Sequence, residues 1–459
     1  MKKLYRFSAI ALLVLPLVFT SCSDYLDRDD DDNITEADVF ARYEKVNGLV
    51  SDVYAAAKKA DRPLVFFEHF SNSAITDECE GTNVEGNITN NFNNGAWNPK
   101  SLPGSVGQYW EALYEGIRKA NLIIENVQKY NTPDNPQQDG DLRNRIGEMY
   151  FMRGYFHMLL LRMYGEAPYI DRVINAGDNM DFKKESVHSM VEKIVTDAQT
   201  AYGMVPNKYV KSAEVFGRVE KGACLGLISF VRWVAATPLW NGASQYGYNL
   251  RRVFENEYAY DATRWRKAKE AAKAVLDFEV GGTKRYSLYT KHGANDFKDP
   301  ADGNLNDSRV YARLWDMFYD MDAFANEYVF FMTKSKDQAW QGDIYTPSRE
   351  GSSRQQPVQE QVDEYEYIVG DYGYPVYSAE ARKGGYDDAN PYVKGTRDPR
   401  FYRDIIYHGA PYRNNKNESK TINTASGSDK IGATNATTTG YYLRKFQQES
   451  WNKSGNFSI

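Results

Sequence analysis

The sequence predicts a mainly α-helical protein: a tetratricopeptide-like array of helical hairpins over residues 35–280 and an irregular, loop-rich subdomain over residues 281–459. In the first range, apolar residues recur at intervals of three and four, which is the periodicity of amphipathic helices. Helical pairs that cannot bury a face alone must stack on one another. Small residues that would permit close helix crossings support this interpretation: Gly154, Ala223, Gly226, Ala268 and Ala272. Beyond residue 280 the periodicity ends, and Gly, Pro, Asn and Tyr become frequent.

The N-terminus has the features of a secretion and lipidation signal. Three cations precede an apolar stretch over residues 7–19 that is too short to span a bilayer. The sequence FTSC that ends at Cys22 resembles a lipobox, the site at which bacterial lipoproteins are cleaved before a lipid-bearing cysteine, although Phe19 replaces the usual Leu. We therefore predict a signal peptide over residues 1–21 and lipidation of Cys22.

An acidic tether follows the signal peptide over residues 22–34. Its like charges repel one another and favour an extended, solvated chain. Removal of residues 1–21 takes away three cations and no acids, so the net charge changes from −6 to −9. A chain this acidic is a poor partner for nucleic acid, and a mean hydropathy of −0.64 argues against a polytopic membrane protein.

Six helices are predicted within the array. Their approximate ranges are 36–59, 106–130, 141–164, 186–202, 218–236 and 263–277, and a polar loop over 70–105 separates the first two. Thr35 and Asp141 have the side chains of N-caps for the first and third helices, and Gly165 is a stop signal for the third. The fifth helix is apolar almost all round, which predicts burial on several sides.

The second half of the chain offers fewer structural signals. The apolar run over residues 327–332 predicts a strand. Residues 347–361 and 411–438 are nearly free of large apolar side chains and are predicted to be loops. Loops of this length are uncommon unless they are functional or disordered.

Most motifs of enzyme chemistry are missing from the sequence. The five histidines are scattered, the three cysteines do not form a disulfide framework or a zinc-spaced pair, and no HExxH, P-loop or G-x-S-x-G motif occurs. We expect an inert Cys79 thiol because acidic neighbours raise its pKa, and a buried Cys224. No cofactor or metal is predicted. A glycosidase-type carboxylate pair stays open, because 62 acidic residues offer many pairs.

Several short motifs, in a fixed order behind the lipobox, together resemble the SusD/RagB family of outer-membrane nutrient-binding lipoproteins of Bacteroidetes. They include the acidic opening after Cys22, which also resembles the export signal of Bacteroidetes surface lipoproteins, and the spacing of Trp110, Tyr114, Ile117 and Asn121. They continue with EMYFMRGYF at 148–156, YGEAP at 164–168, GRVEKGA at 217–223, ATPLWN at 236–241, NEYVF at 326–330, QVDEY at 361–365, RDPRF at 397–401 and TGYYLRK at 439–445. The resemblance covers nearly the whole chain. Relative to the family, we expect the chain to lack a final helical pair after Lys445.

The resemblance implies a non-enzymatic uptake protein. Family members are lipid-anchored at the outer membrane surface, capture oligosaccharides, and deliver them to a SusC-like TonB-dependent transporter. A peptide ligand, as in the RagB branch, is the alternative within the family. Two alternatives of other classes are a surface glycoside hydrolase and a tetratricopeptide scaffold that binds only proteins.

Candidate ligand residues follow from the chemistry of sugars, whose C–H faces lie on aromatic rings and whose hydroxyls require carboxylate or amide partners. The aromatic content of 14%, with 35 Tyr, suits such a ligand as well as a core. Trp97 lies between asparagines in a polar loop, and Trp340 lies in a second polar loop with Tyr345 close behind. The family resemblance implies ligand contacts from both loops.

Four further residues are weaker candidates. Trp315 and Tyr289 are the additional aromatic residues, although the apolar neighbours of Trp315 suit a core position. Asp77 and Asn72 are possible hydroxyl partners. The remaining helical tryptophans are predicted to pack in the core: Trp110, Trp233, Trp240 and Trp265.

Overall fold

The computed structural model describes residues 35–60, 71–81, 88–96, 98, 104–130, 136–209, 215–246, 252–290, 317, 326–332, 342–393, 395–413 and 419–447. The signal peptide, Cys22 and the acidic tether lie outside these residues, as do Trp97, Trp315 and Trp340.

A stack of antiparallel helices forms the first part of the described chain. The helices are α1 Glu36–Phe40, α2 Tyr43–Ala60, α3 Ile88–Asn93, α4 Gly104–Tyr130, α5 Pro136–Tyr164, α6 Val187–Tyr202, α7 Lys221–Ala236 and α8 Ala262–Asp277. From α4 onward each long helix packs on the next, and α2 packs on α4 and α5. One continuous apolar core runs through these helices. The predicted mainly α, tetratricopeptide-like fold class is confirmed.

Some of the helix ends lie where the predicted capping and stop signals placed them. Thr35 and Asp38 form a capping box, with the Asp38 amide donating to the Thr35 hydroxyl at 3.2 Å. Gly165 ends α5 with a φ of 69°, and its amide donates to the Leu161 carbonyl. Two predictions were wrong. The first helix is interrupted between Phe40 and Tyr43, and α5 begins at Pro136, so Asp141 is not its N-cap.

Buried polar contacts fix how the helices pair. Arg153 of α5 donates to Asp197 of α6 at 2.5 and 2.8 Å and to the Asn121 side chain of α4 at 2.9 Å. Gly116 of α4 lies directly under the Phe156 ring of α5, and a Cβ there would approach the ring to 2.5 Å. The motifs around residues 121 and 153, on which the family resemblance rests, therefore lie at contacts between the helices of the array.

The fifth predicted helix corresponds to α7, and its burial differs from the expectation. One side of α7 is buried, and Cys224 is inaccessible there, as predicted. Trp233 on the other side is 51% exposed, and Trp265 of α8 is exposed too, so the core assignment of both was wrong. Trp110 and Trp240 are partly buried against the core, as predicted.

Short strands and short helices complete the described chain, and most of them lie in its second half. The strands are β1 Ile75–Thr76, β2 Cys79–Gly81, β3 Glu279–Val280, β4 Thr283–Lys284, β5 Gln355–Pro357, β6 Tyr367–Val369, β7 Tyr372–Tyr374, β8 Ile405–Ile406, β9 Pro411–Arg413, β10 Ser419–Thr421 and β11 Tyr442–Leu443. They form one three-stranded sheet (β1-β2-β5) and two-stranded pairs β3-β4, β6-β7, β8-β11 and β9-β10, all antiparallel. The short helices are α9 Gln359–Asp363, α10 Ala379–Lys383 and α11 Pro399–Asp404.

Three predictions for this half need correction. The run at residues 327–332 is not a strand, because Phe330 packs edge-on against Phe151 and Tyr155 of α5 instead of pairing its backbone. The two presumed loops contain short strands, β5 in the first and β9 and β10 in the second. Strands of three residues are too short to show a period of two in the sequence. Among the described residues, no helix is both long and apolar enough to cross a membrane.

Candidate functional site

A small hairpin carries the acidic and amide groups predicted to meet a ligand. Asp77 is exposed at the tip between β1 and β2. The hairpin continues into a sheet through β2 and β5, in which Glu80 is paired with Gln356. Since β5 lies more than 270 residues later in the chain, this pairing joins the loop between the first long helices to the second half of the protein.

Asn72 lies at the start of the hairpin, in a single 3₁₀ turn over Asn72–Ala74. Its side chain is half-buried, and its Oδ1 has no hydrogen-bond partner among the described residues; the same holds for the buried hydroxyl of Ser71. Buried polar atoms are normally paired. The Asn72 oxygen is itself shielded from solvent, so in this conformation the exposed Asp77 carboxylate is the accessible acceptor of the hairpin.

The short helix α3 is joined to the hairpin by Asn93. Its side-chain amide donates to the Ala74 carbonyl at 3.1 Å and lies 3.5 Å from the Glu80 carboxylate. Gly95 then turns the chain with a φ of 65°, and the Ala96 amide donates to the Asn91 carbonyl at 2.9 Å. The polypeptide that leads into residue 97 is thereby fixed beside the hairpin.

Apolar contacts attach this hairpin–helix unit, residues 71–81 and 88–96, to the helical array. Ala74 and Cys79 pack with Val106 of α4, and Phe92 and Met163 border the same cluster. On the other side Gln356 is fully buried: it accepts from the Thr438 amide at 2.7 Å and donates to the Ser353 carbonyl at 3.0 Å. The unit is thus held from both sides.

The hairpin–helix unit contains carboxyl groups and one thiol, and burial raises the pKa of two of these groups. Burial raises the pKa of the Glu80 carboxyl, while the Gly81 amide and Asn93 act in the opposite direction. Burial raises the pKa of the Cys79 thiol to about 12, and Glu80 and Glu78 add to the rise. The pKa of Cys79 is raised, as predicted, although burial rather than the acidic neighbours is the main cause.

Comparisons with known proteins identify the fold. A family profile described as "Starch-binding associating with outer membrane" matches residues 24–232, and the profile of the SusD family matches residues 322–458. The chain belongs to the SusD family. The SusD-like protein P2 of Formosa agariphila is 24% identical over 202 residues, which make up 43% of this chain and 38% of that relative, so the match spans well under half of the relative's length.

Solved structures of SusD-like proteins share the fold. A SusD-like protein of Bacteroides fragilis superposes with a TM-score of 0.66 at 17% identity, covering 95% of this chain and 72% of that protein. A SusD-like carbohydrate-binding protein of the same species gives a TM-score of 0.65 at 14% identity, covering 92% and 71%. At these identities the likeness shows the fold alone.

Two aromatic candidates of this SusD-family protein are buried. Tyr345 is 1% exposed, and the Arg349 guanidinium lies 4.4 Å from its ring centroid. Tyr289 is 6% exposed, and its amide donates to Glu327 at 2.6 Å. In this conformation neither ring presents a free face to a ligand, and neither is brought to the hairpin–helix unit by a described contact.

Sequence reasoning missed three polar residues of the site in this SusD-family chain. Glu80 and Asn93 join the hairpin to α3, and Gln356 fixes β5 beneath it. The Asn-rich loop was a usable signal for Asn93, because amide-rich loops suit hydroxyl ligands. Nothing local marks Gln356, since its role depends on a partner strand far away in sequence.

The described histidines of the helical array are not suited to acid–base chemistry. Burial lowers the pKa of His157 to about 3 and that of His188 to about 4, so both are neutral near pH 7. No group of three or more metal-ligating side chains occurs in the part of the chain that the structure describes.

Proposed function

We propose that this SusD-family protein captures oligosaccharides at the surface of the outer membrane and delivers them to a SusC-like TonB-dependent transporter. The observation that carries the proposal is the hairpin–helix unit, whose exposed Asp77 and amide-rich turn are held in place by the array and by β5. Family membership and a SusD-like neighbour named as carbohydrate-binding support it.

The arrangement suits a neutral, hydroxyl-rich ligand. Asp77 is an exposed acceptor for hydroxyl donors, and the exposed Asn93 side chain offers its amide oxygen as a second acceptor, because its NH₂ group is directed at Ala74 and Glu80. Residues 93–96 lie beside the hairpin, and we propose that the ring of Trp97, which follows them in the sequence, binds a sugar face. Preorganised polar groups lower the entropic cost of binding.

We further propose that a lipid on Cys22 anchors the protein, with the acidic residues 22–34 as tether. A stable lipid anchor leaves the folded body free to meet a transporter in the same membrane. Replacement of Cys22 by Ala should release the protein into the soluble fraction of cells, whereas membrane retention of that variant would contradict lipid anchoring.

The decisive experiment measures glycan binding by calorimetry with the chain expressed without residues 1–22. Amylopectin, xyloglucan and laminarin oligosaccharides, and a peptide mixture, are the probes. We expect one of these glycan classes to bind, and we expect the bound glycan to remain uncleaved. Trp97→Ala should weaken it by roughly 30-fold, because truncation of a central aromatic contact costs about 2 kcal/mol. Trp265→Ala is the matched control, since Trp265 is exposed on α8.

Each alternative function gives a different outcome. Retained affinity in Trp97→Ala removes this ring from the site. Binding of peptides alone indicates a RagB-type protein, and shortened glycan products indicate a hydrolase. A chain that binds no small ligand but co-purifies with the transporter is a scaffold.

A further inference from the structure

The second half of the chain contains a long polar loop over residues 423–440, called the 423–440 loop below. Hydrogen bonds within the loop fix its backbone. The Ile431 amide donates to the Thr424 carbonyl at 2.9 Å, and the Gly432 amide donates to the Thr437 carbonyl at 3.0 Å. Long loops that are internally bonded in this way are frequently functional.

The 423–440 loop packs along the segment that leads into β5. The Asp429 carboxylate accepts from the Ser348 amide at 2.8 Å. Closer to β5, the Ser353 hydroxyl donates to the Asn435 carbonyl. The loop therefore follows this segment toward the sheet that β5 forms with the hairpin.

The register of that sheet places the loop on the same side as the end of α3. Cross-strand partners direct their side chains to one face, so Glu80 and Gln356 share a face at about 5 Å from each other. The Glu80 carboxylate lies 3.5 Å from the Asn93 amide nitrogen. The Gln356 side chain accepts from the Thr438 hydroxyl at 2.9 Å and donates to the Ala436 carbonyl at 3.3 Å. The end of α3 and the 423–440 loop thus flank the same face.

The opposite face of the sheet is directed to the helical array. Cys79 precedes Glu80 in β2, and successive side chains of a strand alternate between faces. Cys79 packs with Val106 of α4. The Glu80–Gln356 face is therefore not the face by which the sheet is attached to the array.

Left-handed backbone is concentrated around β5. Among the described residues, the non-glycine residues with positive φ are Glu350 at 59°, Ser353 at 37°, Asn435 at 59° and Phe446 at 67°. Ser353 and Asn435 contact each other, and Glu350 lies three residues before Ser353. Strained residues of this kind persist where the surrounding structure fixes them, and they cluster at ligand-binding sites.

Asn435 brings an amide group to this position. It lies in a turn closed by the Ala436 amide, which donates to the Ala433 carbonyl at 2.9 Å. Its side chain is exposed and has no hydrogen-bond partner among the described residues. Asp77 and the Asn93 oxygen are acceptors, whereas the ring and glycosidic oxygens of a sugar require donors. The Asn435 NH₂ group supplies such a donor.

We propose that the 423–440 loop forms the second side of the glycan site, and that the Asn435 side-chain amide donates hydrogen bonds to sugar oxygens. The glycan then lies across the Glu80–Gln356 face, with acceptors on the hairpin side and the Asn435 donor on the other. The inference rests on the proposed capture of oligosaccharides and assigns Asn435 a role in specificity, because the bound sugar must present an acceptor oxygen there.

The test titrates the chain lacking residues 1–22 with amylopectin, xyloglucan and laminarin oligosaccharides by calorimetry. Asn435→Gly removes the amide and keeps the turn, because Gly adopts a positive φ without strain. It should weaken the glycan that the wild type binds by about tenfold, as expected for a lost hydrogen bond. Asn435→Asp keeps the size but replaces the NH₂ donor by an acceptor, and it should weaken binding at least as much.

Ser426→Gly is the matched control. Ser426 is exposed in the same loop, and its backbone amide, which Gly keeps, donates to the Asn423 side chain at 3.0 Å. Ser426 takes no part in the contacts with Ser353 or Gln356, so this variant should keep the wild-type affinity. The three variants should also keep the wild-type circular dichroism spectrum.

The outcomes separate this inference from glycan capture itself. A wild-type chain that binds none of the glycans refutes glycan capture and this inference together. Wild-type affinity in Asn435→Gly, when Trp97→Ala binds more weakly, refutes the role of the 423–440 loop alone. Wild-type affinity in Asn435→Asp refutes the amide as a donor. An equal loss in Ser426→Gly also overturns the inference, because the shape of the loop rather than the Asn435 amide would then decide binding.

Discussion

Glu148 is a buried acid that connects several parts of the helical array. Its side chain on α5 is inaccessible to solvent and forms ion pairs with Arg145 and, at 2.9 Å, with Arg218. It also accepts hydrogen bonds from Tyr54 at 3.1 Å and Tyr209 at 2.9 Å. These partners come from α2, α5 and the segments before α7, so a single carboxylate joins four parts of the chain.

Replacement of Glu148 by Gln keeps the volume and removes the charge. Two largely buried guanidinium groups, those of Arg145 and Arg218, then lose their counter-charge. Loss of one partner from a buried ion pair costs 3–5 kcal/mol as a rule, so we expect the free energy of unfolding to fall by about 4 kcal/mol. At about 2 °C per kcal/mol for a chain of this size, the melting temperature should fall by roughly 8 °C.

Glu192→Gln is the matched control. Glu192 also pairs with two cations, Arg232 at 2.5 Å and Lys267 at 3.2 Å, but its side chain is 54% exposed. Surface ion pairs contribute roughly 0–1 kcal/mol, so this variant should melt within about 2 °C of the wild type. Thermal unfolding followed by circular dichroism measures both.

Equal losses of melting temperature in the two variants would refute the reasoning, because burial would then not distinguish the two carboxylates. A second test combines Glu148→Gln with Arg218→Met. Since the double variant also removes the Arg218 charge that Glu148 neutralises, it should recover part of the lost stability. If the double variant recovers no stability, the loss in Glu148→Gln comes from its hydrogen bonds rather than from the unbalanced charges.

Two further predictions concern packing and protonation. Gly116→Ala should lower the free energy of unfolding by about 1–3 kcal/mol, because its Cβ would meet the Phe156 ring at 2.5 Å. Gly48→Ala, with open space around the Cβ, should be neutral or stabilising by up to about 1 kcal/mol; similar urea midpoints for the two variants would contradict this account. His157 should remain neutral, because its Nδ1–H donates to the Arg153 carbonyl, its Nε2 accepts from the Ile170 amide, and its pKa is lowered to about 3. Since the pKa in the unfolded chain is about 6.5, the stability gained from neutral His157 is complete above that pH and declines as the pH falls toward 3. An NMR titration of the ring with a midpoint near 6.5 would contradict burial.

Local chemistry made the helical half of the fold predictable. Thr35, Ser186 and Gly165 act within one turn of the helix ends that they specify, and the apolar spacing of the long helices is visible without knowledge of their neighbours. Predictions failed where a distant partner decides the conformation. The run around Phe330 has strand-like composition but packs its side chains on α5.

The sequence predicted the residue types of the candidate site, but it predicted only some of their positions and exposures. Asp77 is exposed and Asn72 is half-buried beside it, as a polar loop suggests. Tyr345 is covered by Arg349, and the sequence around it gives no sign of that contact. Gln356 became visible as a structural support only through its pairing with Glu80.

By itself, the sequence determined the helical array and the resemblance to the SusD family, and it predicted the secretion and lipidation signal, because these depend on local periodicity, end signals and ordered short motifs. Only the tertiary structure decided which aromatic rings are buried and which are exposed. Tyr289 and Tyr345 are covered, whereas Trp233 is half-exposed on α7. The reason is physical: exposure of a ring depends on which surfaces pack over it, and those surfaces come from residues far away in the chain.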